Sequence, residues 1–345
     1  MVAKRANIIS HTPSIQAVVE ATGFPTVGAE VALDCIMNKK HIIMLNVETD
    51  VVVGWILKRL ADNAGVVYTV SDGDEPGVIK GLYNFASSLG FTVVTAGKGK
   101  NNPINYYATP DYCRKEAKDK DMNPKMLTSF IDGSKTMIEM TEVANATGLI
   151  PDIPGMHGLK VNIPELNKVL IPKRDGGIMN QPGVVDYSIG KVAPGVFIIV
   201  TTDRKVIRKD LEYYGLGKGP YYLLYRPYHL CAIETPLSVA RAVLLGEHTI
   251  NTEKIVAEVI AIAKRDLKIG QVIDGIGGYD VFGRIYKATE SIKFKGLPLG
   301  LSQGAVVKEK VKKDEPLILD KVSLNRDTTL FWLWQLQEKM MNSDR

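Results

Sequence analysis

The sequence has few cysteines and no long apolar run, and these absences exclude several classes of protein. Its three cysteines form no CxxC pair, which argues against a disulfide framework and favours reduced thiols in the cytosol. No apolar run approaches the roughly 18 residues that cross a membrane, and the N-terminus lacks the apolar core of a secretory signal. The sequence therefore predicts a cytoplasmic protein without a membrane partner.

Charge of one sign is not in large excess either. The chain has 43 Lys and Arg residues against 38 Asp and Glu residues, a net charge of +5 that is too small and dispersed to indicate nucleic-acid binding. Hydrophobic residues make up 45% of the 345 residues, which excludes a disordered chain. At roughly 150 residues per domain, this length predicts two or three domains.

Several active-site motifs are also missing. The sequence has no GxGxxG after an early strand and no GxxxxGK[ST] phosphate loop. It has no HExxH, which argues against a dedicated zinc site, and no GxSxG serine elbow. If the chain has a dinucleotide-binding fold, the first βαβ unit, which holds the pyrophosphate, is absent.

Residues 15–97 show a regular alternation of apolar runs and helix-like segments. This pattern is typical of a parallel sheet that is covered on both faces. The predicted strands are Ala17–Ala21, Ile42–Leu45, Val66–Val70 and Thr92–Ala96, and the predicted helices are Thr26–Asn38, Val51–Asn63 and Pro76–Leu89.

The residue pattern after residue 97 differs from that of the first region and predicts three further parts. Residues 98–262 are interrupted by Pro, Gly and Asn and predict a mixed α+β domain with long loops. Residues 263–326 contain short β-prone runs punctuated by glycine, which predicts a small all-β module. Residues 327–345 predict a helix that is capped by Asp327 and docks onto the body or a partner subunit.

Polar or glycine-rich residues follow all four predicted strands. They are Thr22 and Gly23, Asn46 and Glu48, Asp72 and Asp74, and Lys98 and Lys100. Because ligands bind outside the carboxyl ends of the strands in open α/β sheets, these residues predict a cleft for cofactor and substrate. Polar loops without a ligand would give the same pattern.

Glycines flank Lys98 and Lys100, and glycine lets a ligand approach the backbone closely. A lysine there can polarise a carbonyl, hold a phosphate or move a proton, or it can be a solvated loop residue. A loop lysine contributes little packing, so Lys98→Ala is expected to reduce turnover far more than stability. Nearby, Asp72, Asp74 and Glu75 suit a hard cation, whereas capping of the helix near Pro76 is favoured for Asp74 or Glu75.

Five further residues are candidates with two interpretations each. Lys125 and Lys135 suit an anionic or polyol substrate, or an exposed helix face. His157 lies between glycines and suits a general acid or base, or a structural role. Arg226 with His229 suits an anion clamp, or a buried Arg–Tyr cluster.

Together these segments resemble the homoserine-dehydrogenase-like NAD(P)-dependent oxidoreductases that end in a SAF domain, a group that includes the deoxyxylulose-phosphate-reductoisomerase-like enzymes. The resemblance runs from about residue 14 to 325. The segments that carry it are Val18–Gly23, His41–Glu48, Asp72–Gly77, Ala96–Lys100, Met122–Lys125, Asp132–Lys135, Val143–Gly148, Leu224–Leu230, Ala263–Leu267, Asp274–Tyr279 and Leu297–Gly300.

The resemblance implies an α/β fold in four parts. Residues 1–97 would be a partial Rossmann-like parallel sheet without its first βαβ unit, so the chain is expected to be N-terminally truncated. Residues 98–262 would be a catalytic, substrate and oligomerisation domain. Residues 263–326 would be a SAF (β-clip) domain, followed by a C-terminal helix over 327–345.

The implied function is an NAD(P)H-dependent dehydrogenase or reductoisomerase that acts on a small phosphorylated or polyhydroxylated carbonyl compound. The implied cofactor is NADP(H) or NAD(H), with Mg or Mn as a further candidate, in a homo-oligomer. A non-catalytic SAF-domain binding or assembly protein that has lost dinucleotide binding is the alternative. Homoserine dehydrogenases proper have a lysine where this chain has Asn46-Val47-Glu48, which argues against homoserine as substrate.

The resemblance also implies roles for individual residues. Thr22 and Gly23 would border the nicotinamide, with Asn46 and Glu48 facing the cleft at the next strand end. The expected catalytic residues are Lys98, Lys100, Lys135 and His157, and the expected substrate-binding residues are Asp72, Asp74, Lys125, Arg226 and His229.

Overall fold

The N-terminal part of the chain forms a parallel sheet with helices. The computed structural model describes residues 7–343. Strands β1, β2 and β3 pair in that order and run parallel, as their apolar runs predict. The elements are α1 (Asn7–Ser10), β1 (Ala17–Glu20), α2 (Pro25–Met37), β2 (His41–Met44), α3 (Val47–Ala64), β3 (Tyr68–Val70) and α4 (Glu75–Ser88).

The central part is built on a second, mixed sheet of five strands in the order β5-β6-β4-β7-β8. The fourth apolar run belongs to this sheet, so its predicted place in the parallel sheet is wrong. The elements are β4 (Thr92–Lys100), α5 (Pro110–Asp119), α6 (Pro124–Ile131), α7 (Ser134–Thr147), β5 (Ile150–Pro151), α8 (Leu166–Val169), β6 (Val184–Ile189), β7 (Val196–Thr201), α9 (Lys205–Tyr213), β8 (Tyr221–Arg226) and α10 (Cys231–Ala240), which continues as a π-helix over Arg241–Leu245.

The C-terminal part is a module of short strands, here called the β module (residues 257–323). Its first strand begins before residue 263, the predicted start of the all-β region, because that apolar run pairs with β10 along its whole length. The elements are β9 (Ala257–Ala263), β10 (Val281–Lys287), α11 (Ala288–Ser291), β11 (Val306–Val307) and β12 (Val322–Ser323), followed by α12 (Thr329–Ser343).

Helix α12 docks onto the N-terminal part. The side chain of Gln337 donates to the Val52 carbonyl at 2.9 Å and accepts from the Ile56 amide at 3.3 Å, both in α3. The helix cap is Thr328, whose hydroxyl accepts from the Phe331 amide at 3.2 Å, so the predicted cap at Asp327 is one residue off.

Helix α7 lies at the centre of the molecule. It contacts α3, α4 and α6 and strands β4, β6, β9 and β10, and nearly all of its residues are buried. The main hydrophobic core surrounds it and continues into the β module. Among the helices of residues 7–343, none has the length and apolar character needed to cross a bilayer.

Candidate active site

A cleft of about 530 Å³ lies where the carboxyl ends of the parallel strands meet β4, α6 and α7. The turns after β1, β2 and β3 line it, as the polar strand ends predict. Its charged and titratable lining residues are Glu48, Asp74, Glu75, Lys98, Lys100, Glu116, Lys120, Lys135, Glu139, His229 and Cys231.

Strand β4 places two lysines in the cleft from within a strand. Lys98 and Lys100 are two residues apart, so their side chains share one face of β4. A Cβ on Gly97 would lie 2.4 Å from the Asp186 carbonyl oxygen, and one on Gly99 would lie 2.1 Å from the Ala193 amide nitrogen. The glycines therefore serve close packing inside the protein, and the predicted loop is wrong because both lysines lie within β4.

The Lys98 ammonium is buried between two carboxylates. Its Nζ lies 2.6 Å from Glu75 Oε1 and also contacts Glu139 Oε2. Burial alone would lower the pKa of Lys98, but Glu139 and Glu75 raise it above its usual range. Lys98 therefore stays protonated and presents a fixed positive charge to the cleft.

The two carboxylates respond differently to this charge. Burial disfavours the charged form of Glu75, but Lys98 and then His229 hold its pKa below the usual range. Burial and then Glu75 raise the pKa of Glu139. Glu75 is therefore the ionised partner of Lys98, and Glu139 is the partner that takes up a proton more readily.

Lys100 has the opposite electrostatic environment to Lys98. Its Nζ donates to the Phe130 carbonyl at 2.8 Å. Burial, and then the charge of Lys98, lower its pKa to about 8. A lysine with a pKa close to neutrality can both donate and accept a proton under working conditions.

Lys135, in the first turn of α7, pairs with Glu48 across the cleft at 2.9 Å. Burial opposes the charge of Lys135, but Glu48 and then Asp74 raise its pKa above the usual range. Glu48 lies in the first turn of α3 at the end of β2. The pair joins α3 to α7, and both residues line the cleft.

His229 enters the cleft from the segment before α10. Its Nδ1 lies 2.8 Å from the Pro194 carbonyl oxygen, and its Nε2 lies 3.5 Å from Glu75 Oε1. Because a carbonyl oxygen only accepts, Nδ1 carries a hydrogen, and Nε2 is the nitrogen that faces the carboxylate cluster.

Asp74 stands at the N-cap position of α4 but makes no side-chain capping bond. Glu75 occupies the first helical position and binds Lys98. The favoured capping role is therefore wrong for both residues. Burial and then Glu75 raise the pKa of Asp74 well above its usual range.

The same acids are the residues that could hold a divalent cation. Carboxylate oxygens of Asp74, Glu75 and Glu139 lie within 4.8 Å of one another. The Lys98 ammonium already binds both Glu75 and Glu139 from within this group. A charged lysine at that point repels a cation, so these residues do not fit Mg or Mn as they stand.

A smaller cavity of about 210 Å³ adjoins the cleft and shares Gly23, Glu48, Met126 and Ser129 with it. Thr22 and Gly23 line it at the end of β1. Gly23 has φ +71°, and a Cβ there would have only the end of the Met126 side chain within 4 Å. This turn therefore leaves open space at the end of β1.

The β module closes the far side of this cavity. Ile276, Leu299 and Gln303 line it, and the Lys125 ammonium donates to the Asp274 carbonyl at 2.6 Å. Lys125 therefore lies in the smaller cavity, where it joins α6 to the β module.

Asn46 serves a different purpose from the predicted one. It is fully buried, its Oδ1 accepts from the Thr49 amide at 3.2 Å, and its Nδ2 donates to the Phe24 carbonyl at 3.1 Å. The side chain caps α3 and ties down the turn that precedes α2. Its polar atoms are thus used inside the protein and do not line either cavity.

Three other predicted residues lie outside both cavities, because nearby partners hold them elsewhere. His157 Nε2 lies 2.9 Å from Asp152 Oδ2. Asp72 faces Arg241 at 3.7 Å, and its backbone amide donates to Ser238. Arg226 donates to Glu234 at 2.6 Å and stacks on Tyr228. Arg226 does contact a tyrosine, but Tyr228 is exposed, so the predicted Arg–Tyr cluster is not buried.

Sequence reasoning gave no catalytic role to Glu75 and Glu139. A signal for Glu139 exists in the sequence, since Lys135, Glu139 and Glu142 are the charged residues of an otherwise uncharged helix, at spacings of four and three. Charges at these spacings lie on one face of a helix, and in α7 that face is buried. Buried charges need partners, so such a stripe predicts ion pairs across a site.

The centre of this site lies in a segment that is similar to a known oxidoreductase domain. The model of the family "Oxidoreductase DRL, catalytic domain" matches residues 73–235, slightly less than half of the chain. The matched segment contains Asp74, Glu75, Lys98, Lys100, Lys135, Glu139 and His229. No curated protein sequence matches the chain.

Solved structures show only distant similarity. The Bacillus subtilis protein yvaA, described as an oxidoreductase, has 13% identity and a TM-score of 0.34 over 73% of this chain and 78% of its own. A Thermotoga maritima protein described as a dehydrogenase has 14% identity and a TM-score of 0.39 over 72% and 76%. Biliverdin reductase from Synechocystis sp. PCC 6803, in complex with biliverdin and NADP+, has 17% identity and a TM-score of 0.21 over 32% and 39%.

The family match is the comparison that bears on activity. It identifies the chain as an enzyme and favours oxidoreductase chemistry over the non-catalytic alternative. The similarities to solved structures are too distant to add a substrate or a cofactor.

Proposed function

We propose that this protein is an NAD(P)H-dependent oxidoreductase, a dehydrogenase or a reductoisomerase, that acts on a small phosphorylated or polyhydroxylated carbonyl compound. The observation that carries the proposal is the pairing of two buried lysines of opposite character in one cleft. Lys98 is held charged by two carboxylates, whereas Lys100 has a pKa of about 8. Reduction of a carbonyl needs both a fixed positive charge and a proton donor.

Lys98 supplies the fixed charge. Its ammonium is held by Glu75 and Glu139, so it does not need to reorient when negative charge develops on a carbonyl oxygen. Preorganised donors of this kind act strongly in a site where little water competes. Lys98 therefore binds and polarises the carbonyl.

Lys100 supplies the proton. It lies two residues further along the same face of β4, and its pKa of about 8 lets it protonate an alkoxide near neutral pH. In the oxidative direction the neutral amine takes the proton back. His229 lies on the Glu75 side of the cleft and acts on a second hydroxyl or phosphate of the substrate.

The cofactor would lie with its nicotinamide end in the cavity at Thr22 and Gly23, which opens into the cleft. When bound, a nicotinamide cofactor supplies or accepts the hydride. Glu48 lines both the cleft and this cavity, and its ion pair with Lys135 joins α3 to α7 there. The assignments of residues 98–262 to catalysis and oligomerisation and of 263–326 to a SAF fold belong to the same proposal.

The test is nucleotide oxidation by the purified full chain. NADPH and NADH are each incubated with ketose and aldose phosphates, including a deoxyxylulose phosphate, and with the corresponding free sugars. We expect turnover with at least one phosphorylated or polyhydroxylated carbonyl compound and its loss in Lys100→Met. The matched control is Lys173→Met, a surface lysine whose Nζ lies 2.7 Å from the Asn180 side chain. Folded wild-type protein that oxidises neither nucleotide with any of these compounds would overturn the proposal.

A further inference from the structure

A second group of acids lies behind the cleft and has no part in the proposed reaction. Glu142 follows Glu139 by three residues on α7 and is completely buried. Neither of its carboxylate oxygens has a hydrogen-bond partner in the described part of the chain. An unpaired buried carboxylate is costly, so this residue needs an explanation.

The neighbour of Glu142 on α3 is another acid, Asp50. Its Oδ1 accepts from the Tyr68 hydroxyl at 2.7 Å and its Oδ2 accepts from Thr252 at 2.9 Å. A Cβ on Gly54 would lie 2.3 Å from Asp50 Oδ1, so the glycine makes room for the carboxylate. Asp50 is thus held in place as an acceptor, and it can accept again from a protonated neighbour.

Other charges around Glu142 do not neutralise it. The titratable groups that interact electrostatically with Glu142 are Asp50 in α3, Tyr68 in β3, Asp74 at the N-cap of α4 and Lys80 within α4. The Lys80 ammonium is engaged by the Ala146 carbonyl at 3.0 Å. Burial and then Asp50 raise the pKa of Glu142 well above its usual range. Burial and two neighbouring acids against one engaged lysine favour a proton on the pair.

We propose that Glu142 is a neutral carboxylic acid that shares its proton with Asp50, and that this acid–carboxylate pair is a positioning device that keeps α3 and α7 together behind the cleft. The positioning role, not the shared proton, rests on the proposed function. Helix α3 carries Glu48 and helix α7 carries Lys135 and Glu139, so the pair fixes the spacing of the residues that hold the cleft. Loss of the proton at alkaline pH would place two like charges between the helices and loosen the cleft.

The shared proton is tested first by infrared spectroscopy of the full chain at about pH 7, which needs no activity. We expect a carbonyl band of protonated carboxylic acids in the wild type that loses intensity in Glu142→Gln. The matched control is Glu290→Gln, which removes a surface acid and should leave the band unchanged. Should Glu142→Gln fold poorly, Asp50→Asn serves instead, because an asparagine amide can donate to Glu142 and removes the need for the proton.

The positioning role is tested by pH profiles of Tm and kcat. The acid has a raised pKa in the folded state, so stability is complete at low pH and is lost as pH rises through the folded pKa. Wild-type Tm should therefore fall relative to that of Glu142→Gln as pH rises above about 4, the ordinary pKa of a glutamic acid, and wild-type kcat should fall relative to the variant toward alkaline pH. A band that keeps its full intensity in Glu142→Gln would overturn the shared proton. Parallel Tm and kcat profiles in the two proteins would overturn the positioning role, whatever the substrate proves to be.

Discussion

The two sheets of this protein present functional side chains in different ways. The parallel sheet delivers Glu48, Asp74 and Glu75 at strand ends, through the first turns of α3 and α4. The mixed sheet delivers Lys98 and Lys100 along the face of β4, inside the strand. Residues at strand ends can be recognised by their position in an alternating pattern. Residues inside a strand reveal their role only through what is packed against them, and here that is the buried helix α7.

Among substitutions that compare strand-end residues with residues inside β4, Lys98→Met is expected to have the largest effect on stability and turnover. Removal of the ammonium leaves Glu75 and Glu139 buried without their cation, so we expect a loss of about 3–5 kcal/mol in the free energy of unfolding. Turnover should fall by about 10²–10³-fold. Urea unfolding and kcat measure the two effects. This reverses the expectation from the sequence, which treated Lys98 as a loop residue whose loss spares stability.

Lys98→Met is compared with the double variant Lys98→Met/Glu75→Gln. Removal of one negative charge should restore part of the stability but none of the turnover. If Lys98→Met were as stable as the wild type, the ion pairs of Lys98 with Glu75 and Glu139 would not contribute to the stability of the folded protein.

Lys100→Met is expected to reduce kcat by about 10²–10⁴-fold with little change in Tm. In the wild type, carbonyl reduction should fall as pH rises through about 8, because the lysine loses its proton, and alcohol oxidation should rise over the same range. Both changes in rate near pH 8 should be absent from Lys100→Met when pH–rate profiles are measured in both directions. If the variant keeps either change near pH 8, that ionisation belongs to another group.

Stability should also report the ionisation of Lys100. Its pKa of about 8 in the folded protein lies below its ordinary value of 10.5. Below pH 8 the lysine is charged in both states and burial opposes folding, whereas above it only the unfolded state keeps the proton. The wild type should therefore gain stability relative to Lys100→Met as pH rises from about 8 to about 10. A constant difference in Tm over that range would contradict the lowered pKa.

A middle-sized effect is expected for Gly97→Ala in the mixed sheet. The new methyl group would lie 2.4 Å from the Asp186 carbonyl oxygen and 2.6 Å from the Phe197 ring, so we expect a loss of about 1–3 kcal/mol. Gly81→Ala in α4 is the matched control, since a Cβ there meets nothing within 4 Å and should stabilise by about 0.4–1 kcal/mol. Equal stability of the two variants in urea would show that β4 does not need its glycines.

The sequence predicts the parallel sheet well because its apolar runs are short, continuous and regularly spaced. It misplaces β4, since the apolar run Thr92–Ala96 resembles the other three and the lysines that extend it resemble a loop. It also cannot show that α7 is buried on nearly all sides, which turns Lys135 and Glu139 from surface charges into paired groups. His157 and Arg226 have suitable chemistry, but Asp152 and Glu234 engage them outside the cleft.

Asn46→Ala is expected to give the smallest effect, and it tests whether every strand-end residue serves the ligand. The substitution removes the α3 cap and the bond to the Phe24 carbonyl, so the free energy of unfolding should fall by about 0.5–2 kcal/mol. Because Asn46 lines neither cavity, KM for the nucleotide should change by less than about twofold. Asn46→Asp is the control, as it keeps the capping oxygen and should lose less stability. A large rise in KM with unchanged stability would instead return Asn46 to the cofactor site that its position at the end of β2 predicts, beside Glu48 from the same strand end.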